Sequence, residues 1–413
     1  MNRDELIHDW NQTPGAFDYR STHVELDDET LRDGLQNPSV TDPPIEKKIE
    51  LLHHMVALGI DSADIGLPGA GPRAYNAVLA LAREVVEHDL PIEVNAAART
   101  VLADIAPIVD IAQRTGLRFE VGTFIGSSPI RKYAEGWDTD RILGSTREAV
   151  GFAVSEGLDV MYVTEDTTRS RPQDLRTLFT AAIEAGAHRI CIADTVGHAT
   201  PHGVRELVRF TKSLVDEVGD GVKVDWHGHR DRGLGMANAL VAIQEGVDRV
   251  HGTALGIGER VGNVEMDLIL VNLVLLGART QDLSALPAYC RLTAEMCDVA
   301  LPHNYPVIGD DAFRTGTGVH AAAIIKAMKT GDRWLENAVY SGVPASLVGR
   351  EQEIEVSPVS GLSNVRFWLA KRGHDAGDEE LCDAVFALAK VCDRTLTREE
   401  IEAEVTRVLT ARA

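Results

Sequence analysis

The feature that most constrains the fold of this 413-residue chain is a regular alternation of short β-branched runs with longer amphipathic stretches. The short runs are typical of buried parallel strands, and the longer stretches carry apolar residues at helical spacing. Eight such strand–helix pairs, about 30 residues apart, predict a (β/α)8 barrel, with a doubly wound sheet as the competing architecture. The predicted strands are His23–Leu31, Ser62–Leu67, Ile92–Ala98, Arg118–Ile125, Asp159–Glu165, Arg189–Asp194, Val222–His227 and Arg249–Leu255.

The strand–helix repeat stops near residue 280. We predict a barrel domain over residues 1–280, a helical linker subdomain over 281–345 and a C-terminal subdomain over 346–413. Helical patterns in this tail cover Leu283–Leu301, Ala321–Met328 and Asp378–Thr410. Thr397 and Glu400 have the spacing of a capping box at a helix start. The expected architecture is therefore an α/β TIM barrel followed by a smaller, mainly helical region.

Composition restricts the partners of the chain. It carries 41 Lys and Arg against 63 Asp and Glu, a net charge of −22, which argues against nucleic acid or an anionic membrane as a partner. No apolar run reaches the roughly 18–20 residues of a membrane span, and the N-terminus lacks a secretory signal, so a cytoplasmic location is expected. The five cysteines include no C-x-x-C pair, which argues against a disulfide framework or a cysteine zinc site.

The pair His227 and His229 ends the seventh predicted strand. Side chains alternate along a strand, so two histidines two residues apart project from the same face. Asp33 follows the first predicted strand and would meet them at the carboxyl end of a barrel, where such folds place their chemistry. Two imidazoles and one carboxylate would leave coordination positions of a divalent metal open for substrate. This donor set does not discriminate among Mg²⁺, Mn²⁺, Co²⁺ and Zn²⁺. Asp33 could instead be a turn residue paired with Arg32.

Further polar clusters follow other predicted strands at the same end. Thr195 either caps the next turn or donates its hydroxyl to a substrate carboxylate. The segment Gly256–Asn263 has the spacing G-x-G-x-x-x-G, one residue longer than a dinucleotide fingerprint. Its glycines fit either a flexible loop or a tight turn with backbone amides facing an anion. Asn263 could add a carbonyl oxygen to the metal.

Three ordered motifs resemble those of the metal-dependent DRE-type TIM-barrel family, which includes 2-isopropylmalate synthase, homocitrate synthase, citramalate synthase and HMG-CoA lyase. They are Asp28–Gln36, the His-x-His pair and Gly252–Asn263. Past the barrel, Asp311–His320, Val348–Arg350 and Ser360-Gly361 resemble later synthase segments, so the resemblance covers nearly the whole chain.

The resemblance implies a Claisen-type condensation of acetyl-CoA with a 2-oxo acid on a divalent metal, as in amino-acid biosynthesis. It implies metal ligation by Asp33, His227, His229 and Asn263. Arg32 would stabilise negative charge, with Gln36 and Thr195 also at the substrate. Catalytic roles are implied for Glu165, Glu259, His320 as acid/base, and Tyr340 as its assistant. Family members are usually homodimers, so His320 could act on the partner's site.

Two branches of the family share these motifs. The string Arg32–Asn37 reads as in HMG-CoA lyases, whereas the loop after the eighth strand has no cysteine and a synthase-like tail follows. We therefore expect a synthase, with a lyase-like retro-aldol cleavage of a CoA thioester as the alternative. A catalytically silent barrel that binds metal and ligand is a third reading.

Several positions depart from the usual synthase pattern. Gly122 stands where many synthases have histidine, and Arg230 stands where asparagine usually follows the His-x-His pair. Arg232 adds a second cation nearby. This clustering predicts that Arg230 binds a second anionic group on the 2-oxo acid, unless both arginines pair with surface acids.

Overall fold

Eight parallel strands close into a barrel in chain order. They are β1 (Glu25–Asp28), β2 (Ser62–Asp64), β3 (Glu93–Arg99), β4 (Phe119–Gly126), β5 (Asp159–Glu165), β6 (Arg189–Asp194), β7 (Lys223–Gly228) and β8 (Arg249–Gly252). β8 pairs with β1 from Glu25 opposite Arg249 to Asp28 opposite Gly252. This closure confirms the predicted TIM barrel and excludes the doubly wound sheet. The computed structural model describes residues 3–219 and 221–412.

Helices connect the strands, because each amphipathic stretch has one apolar face to bury. Pro201 begins its helix behind Thr200, whose hydroxyl accepts a hydrogen bond from the Gly203 amide. The helices of this part are Arg3–Leu6, Ile45–Ala57, Pro72–Glu87, Leu102–Thr115, Pro129–Glu135, Thr139–Ser155, Pro172–Glu184, Pro201–Val218, Gly235–Gln244, Met266–Leu275 and Leu286–Cys297.

Successive side chains of each strand point alternately toward the surrounding helices, where they form the apolar core, and into the barrel. Leu26, Phe119, Val160 and Trp226 are fully buried, and they point toward the surrounding helices. The intervening residues point into the barrel, where polar and charged side chains dominate near the amino ends of the strands. Arg189 there contacts Glu25, Glu120 and Asp225. The barrel floor is therefore an ion-pair network and not an apolar plug.

The chain divides into two compact units. The first comprises the described residues up to Gln281 together with Ala288–Val299, and the second comprises Asp282–Pro287 with the described residues from Ala300 onward. The chain therefore crosses between the two units more than once between residues 281 and 300. Within the second unit, strand β9 (Arg314–Thr315) pairs with β10 (Glu353–Ile354).

The second unit is mainly helical, as predicted. The segment 378–410, predicted as helical with a helix start at the Thr397 capping box, forms two helices, because the chain leaves the helical conformation at Cys392 and the second helix begins behind Thr397. Its helices are Gly318–Thr330, Arg333–Ala338, Leu362–Lys371, Glu379–Val391 and Arg398–Thr410. Trp368, Leu381 and Ile401 anchor the shared apolar core of the last three.

Across the described residues, none of the helices combines the length and apolarity that crossing a membrane requires.

Candidate active site

A cavity of about 150 Å³ lies within the first unit at the carboxyl ends of the barrel strands. It gathers residues from distant parts of the sequence, as the barrel topology predicts. The predicted site residues that line it are Arg32, Asp33, Gln36, Glu165, Thr195, His227, His229 and Glu259.

Asp33, His227 and His229 form a compact cluster in this cavity. The Nε2 atoms of the two histidines are 3.2 Å apart. They lie 3.6 and 3.5 Å from Asp33 Oδ2. All three side chains are buried, and their potential ligand atoms converge closely enough to hold one metal ion. The donor set of two imidazoles and a carboxylate fits a divalent cation with open coordination positions.

Asn263 is brought to this cluster by the loop after β8. It forms an isolated bridge with His229, and its Nδ2 donates to Asp33 Oδ2 at 2.7 Å. Its Oδ1 is buried without a hydrogen-bond partner. A buried orphan oxygen is costly in a folded protein, and a cation next to the cluster would satisfy it. The site as built therefore fits the metal that the sequence predicts.

Two glycines make this loop conformation accessible. Gly258 has φ +154°, and a Cβ there would lie 2.4 Å from Asn263 Oδ1. Gly262 has φ +97°, and a Cβ there would lie 1.8 Å from the Gly256 carbonyl oxygen. Both positions exclude a side chain, so these glycines serve backbone geometry. An anion facing the backbone amides is therefore not needed to explain the glycine spacing.

Burial and neighbouring charges set the ionisation of the cluster. Burial, reinforced by His227, lowers the pKa of His229 to about 4, so its imidazole is neutral at physiological pH. Burial alone would raise the pKa of Asp33, but the charges of Arg32 and His227 outweigh it and lower that pKa. A neutral imidazole beside an ionised carboxylate is the state that coordinates a cation.

Glu29 and His251 support the cluster, although sequence reasoning did not single them out. Glu29 Oε2 lies 2.8 Å from His227 Nδ1, and Glu29 Oε1 lies 2.9 Å from His251 Nδ1. The other ring nitrogen of His251 lies 3.0 Å from Asp225. Despite burial, the surrounding carboxylates raise the pKa of His251 to about 10. His251 therefore favours the imidazolium form, with Glu29 and Asp225 each facing one ring nitrogen.

Arg32 is held in a fixed orientation by three carboxylates. Its guanidinium contacts Glu29 at 2.9 Å, Asp64 at 2.7 Å and Asp33 at 3.5 Å. Asp64, which sequence reasoning missed, ends β2. Such pairing places a preorganised cation beside the metal cluster.

Thr195 has one hydrogen-bonding function left for a ligand. Its hydroxyl oxygen accepts from the Asp166 amide at 2.7 Å, which leaves the hydroxyl proton to be donated. Asp194 caps the following turn, since its carboxylate accepts from the amides of His198 and Ala199.

Two carboxylates complete the polar part of the cavity. Burial raises the pKa of Glu165, while Arg131 and Arg32 partly offset that rise. Glu259 also lines the cavity, next to Arg260. Arg260 was not predicted; it pairs with Asp231 at 2.8 Å. Its position inside the glycine-rich loop was the only sequence signal for it.

Arg230 is not brought to the cavity. Its guanidinium donates to Glu265 and, at 2.9 Å, to the carbonyl of Val261. Arg232 donates to the carbonyl of His198 at 2.8 Å. The sequence left open that Arg230 pairs with an acid and not with an anionic substrate. The structure shows this pairing, because the loop after β8 supplies both partners of Arg230.

His320 and Tyr340 lie in the second unit and contact each other. Their rings stack with centroids 4.2 Å apart and an interplanar angle of 26°. His320 is exposed on the first turn of the helix Gly318–Thr330. The structure thus joins the two residues that the resemblance pairs.

Comparison with known proteins identifies a matching family and several relatives of this chain. The HMGL-like family model matches residues 23–292. A Methanopyrus kandleri protein named as a citramalate synthase is 33% identical over 90% of this chain and 69% of its own length. The homocitrate synthase of Pyrococcus horikoshii is 29% identical over 93% of this chain and 99% of its own length.

Solved structures show the same fold. The crystal structure of the hydroxymethylglutaryl-CoA lyase of Pseudomonas aeruginosa superposes with a TM-score of 0.56 at 19% identity, covering 67% of this chain and 94% of the lyase. With the barrel and its cavity described, the match of the family model over residues 23–292 shows that this chain belongs to the HMGL-like family.

Proposed function

We propose that this protein condenses acetyl-CoA with a 2-oxo acid in a divalent-metal-dependent Claisen reaction, and that water then hydrolyses the resulting thioester to give a 2-substituted malate and free CoA. Such an acyltransferase converts the acyl group into an alkyl group on transfer. The observation that carries the proposal is the convergence of Asp33, His227 and His229, with the orphan oxygen of Asn263, beside Arg32. The synthase names of the relatives support the same chemistry.

Asp33, His227, His229 and Asn263 would hold the metal. A divalent ion held there (Mg²⁺, Mn²⁺, Co²⁺ or Zn²⁺) would supply Lewis acidity toward the acceptor. The four side chains present two nitrogen and two oxygen donors, and this donor set does not discriminate among these ions.

The remaining cavity residues orient the acceptor and balance its charge. Arg32 faces the metal cluster and would stabilise the oxyanion that develops as the ketone is attacked. Thr195 would donate its hydroxyl proton to the acceptor carboxylate, and Gln36 would add an amide contact. Glu165, with its raised pKa, and Glu259 are placed to accept or return a proton within the cavity.

His320 and Tyr340 are proposed as an acid/base pair. Condensation requires removal of a methyl proton from acetyl-CoA, and an imidazole with a stacked phenol can perform that step. A homodimer, in which His320 serves the partner's barrel, is part of this proposal.

The test is release of free CoA by purified protein mixed with acetyl-CoA and a panel of 2-oxo acids. Each reaction is run with Mg²⁺ or Mn²⁺ and, as a control, after chelation. The proposal predicts CoA release that needs both metal and acceptor, with a 2-substituted malate detected by mass. Cleavage of HMG-CoA to acetyl-CoA and acetoacetate, without condensation, would instead establish the lyase. Metal binding without either reaction would leave a binding protein.

A further inference from the structure

One side of the cavity is apolar, in contrast to the metal cluster. Strands β3 to β6 contribute the apolar residues that we call the apolar half: Ala97, Gly122, Phe124, Met161, Val163, Cys191 and Ala193. Among the described residues that line the cavity, the ones on these strands include no lysine or arginine. An apolar wall of this kind is suited to an uncharged group.

We propose that the apolar half receives the substituent of the acceptor, so that the substrate is a monocarboxylic 2-oxo acid with an apolar side chain. This assignment rests on the proposed condensation, and it names the substrate class that the condensation uses. It replaces the dianionic acceptor predicted from Arg230.

The charges of the cavity argue for a neutral substituent. The two arginines that line it are already engaged in ion pairs, Arg32 with three acidic side chains and Arg260 with Asp231. Glu165 stands at the end of the apolar half and would repel a second carboxylate when ionised. A second carboxylate directed at strands β3 to β6 would face no lysine or arginine on those strands among the described lining residues, which is unfavourable for a buried charge.

Met161 and Gly122 set the depth of this half. A Cβ at position 122 would lie only 3.1 Å from the Met161 methyl carbon and would crowd it. The absence of a side chain at Gly122 therefore leaves room for that methyl group. The Met161 sulfur accepts from Arg249 Nη2 at 3.2 Å. Arg249 in turn contacts Asp225 at 2.8 Å. Met161 therefore separates the cavity from the ion-pair network at the barrel floor.

The experiment measures kcat/KM in the CoA-release assay for pyruvate, 3-methyl-2-oxobutanoate, 4-methyl-2-oxopentanoate, oxaloacetate and 2-oxoglutarate. The best branched acceptor should exceed both dicarboxylic acids by about 100-fold or more, since a buried charge costs more than a missing methylene. Comparable or better turnover of a dicarboxylic acid overturns the inference but leaves the condensation standing. Failure of every acceptor overturns the condensation itself.

Binding keeps the inference testable in that last case. Isothermal titration of the Mg²⁺-loaded protein with the same acids should rank the branched acids above the dicarboxylic ones. Tighter binding of 2-oxoglutarate would overturn the assignment independently of turnover.

Two variants change the size of the apolar half in opposite directions. Ala97→Leu should lower kcat/KM for 4-methyl-2-oxopentanoate by about 10-fold or more while changing that for pyruvate less than about 3-fold. Met161→Ala should raise the ratio of the longer to the shorter acceptor. Val160→Ala, one residue away on the helix-facing side of β5, is the matched control and should leave this ratio unchanged. Equal ratios in all three variants would contradict the assignment.

Discussion

The same barrel places two different chemistries around one cavity. Strands β7, β8, β1 and β2 supply the metal half, which we define as Glu29, Asp64, His227 and His251 with the neighbouring Asp33 and His229. Every charged group there has an opposite charge within 4 Å, as Arg32 shows with its three carboxylates. Among the described lining residues, by contrast, β3 to β6 carry no lysine or arginine, and Glu165 at the end of β5 is their one acidic residue. Ion pairing therefore fixes the reacting groups in the metal half, whereas the shape of the apolar half selects the substituent of the substrate.

Breaking the metal half should have the largest effect. Asp33→Asn removes the carboxylate at the centre of the cluster, so bound metal and CoA release should both fall to background. The fold should persist, because the barrel core lies between strands and helices. Metal content by elemental analysis and circular dichroism check this. Asp42→Asn, at a carboxylate paired with Lys48 and Arg73, is the control. Retained stoichiometric metal in Asp33→Asn would contradict the assignment.

Weakening the support of the metal half should have an intermediate effect. Glu29→Gln keeps the size of the side chain but loses the charge that orients His227 and Arg32. Metal affinity should fall about 10- to 100-fold, as for other groups that position a ligand. Competition with a chelator dye measures this without an activity assay. An unchanged metal affinity would show that Glu29 has no positioning role.

The apolar half should respond in stability and not in metal binding. Met161→Ala should lower the free energy of unfolding by about 2 kcal/mol, at the low end for a buried methionine, because the side chain already borders a cavity. Chemical denaturation and the chelator competition together check both parts. A weakened metal affinity would mean that the two halves are not independent.

Arg230→Gln should have the smallest effect. Its ion pair with Glu265 is partly exposed, and such pairs contribute about 1 kcal/mol or less. The KM for every 2-oxo acid should change less than about 3-fold, as measured by CoA release. A large rise in KM confined to dicarboxylic acids would restore the contact predicted from the sequence.

The barrel and the metal cluster could be predicted because they depend on periodicity. β5 and β6 begin and end at the predicted residues, since a β-branched run bounded by helical patterns defines a strand. The two-residue spacing of His227 and His229 fixes their common direction. Asp33 follows β1, and barrel closure alone brings it to β7.

Other features depend on information that spacing does not carry. Arg230 lies just beyond β7, in a loop where alternation no longer fixes the side-chain direction. The apolar half was not predicted, because both faces of a parallel strand are buried. An apolar residue on such a strand therefore does not indicate which face lines a cavity. Glu29 and His251 were missed since their contact joins residues 222 apart in the sequence.

The most direct test of the two-sided cavity is a crystal structure with Mn²⁺ and 4-methyl-2-oxopentanoate bound. We expect a single anomalous peak in the barrel, bounded by Asp33, His227 and His229, with the branched substituent of the acid against Met161 and Val163. A metal between Glu29 and His251, or a substituent directed at Arg230, would contradict it.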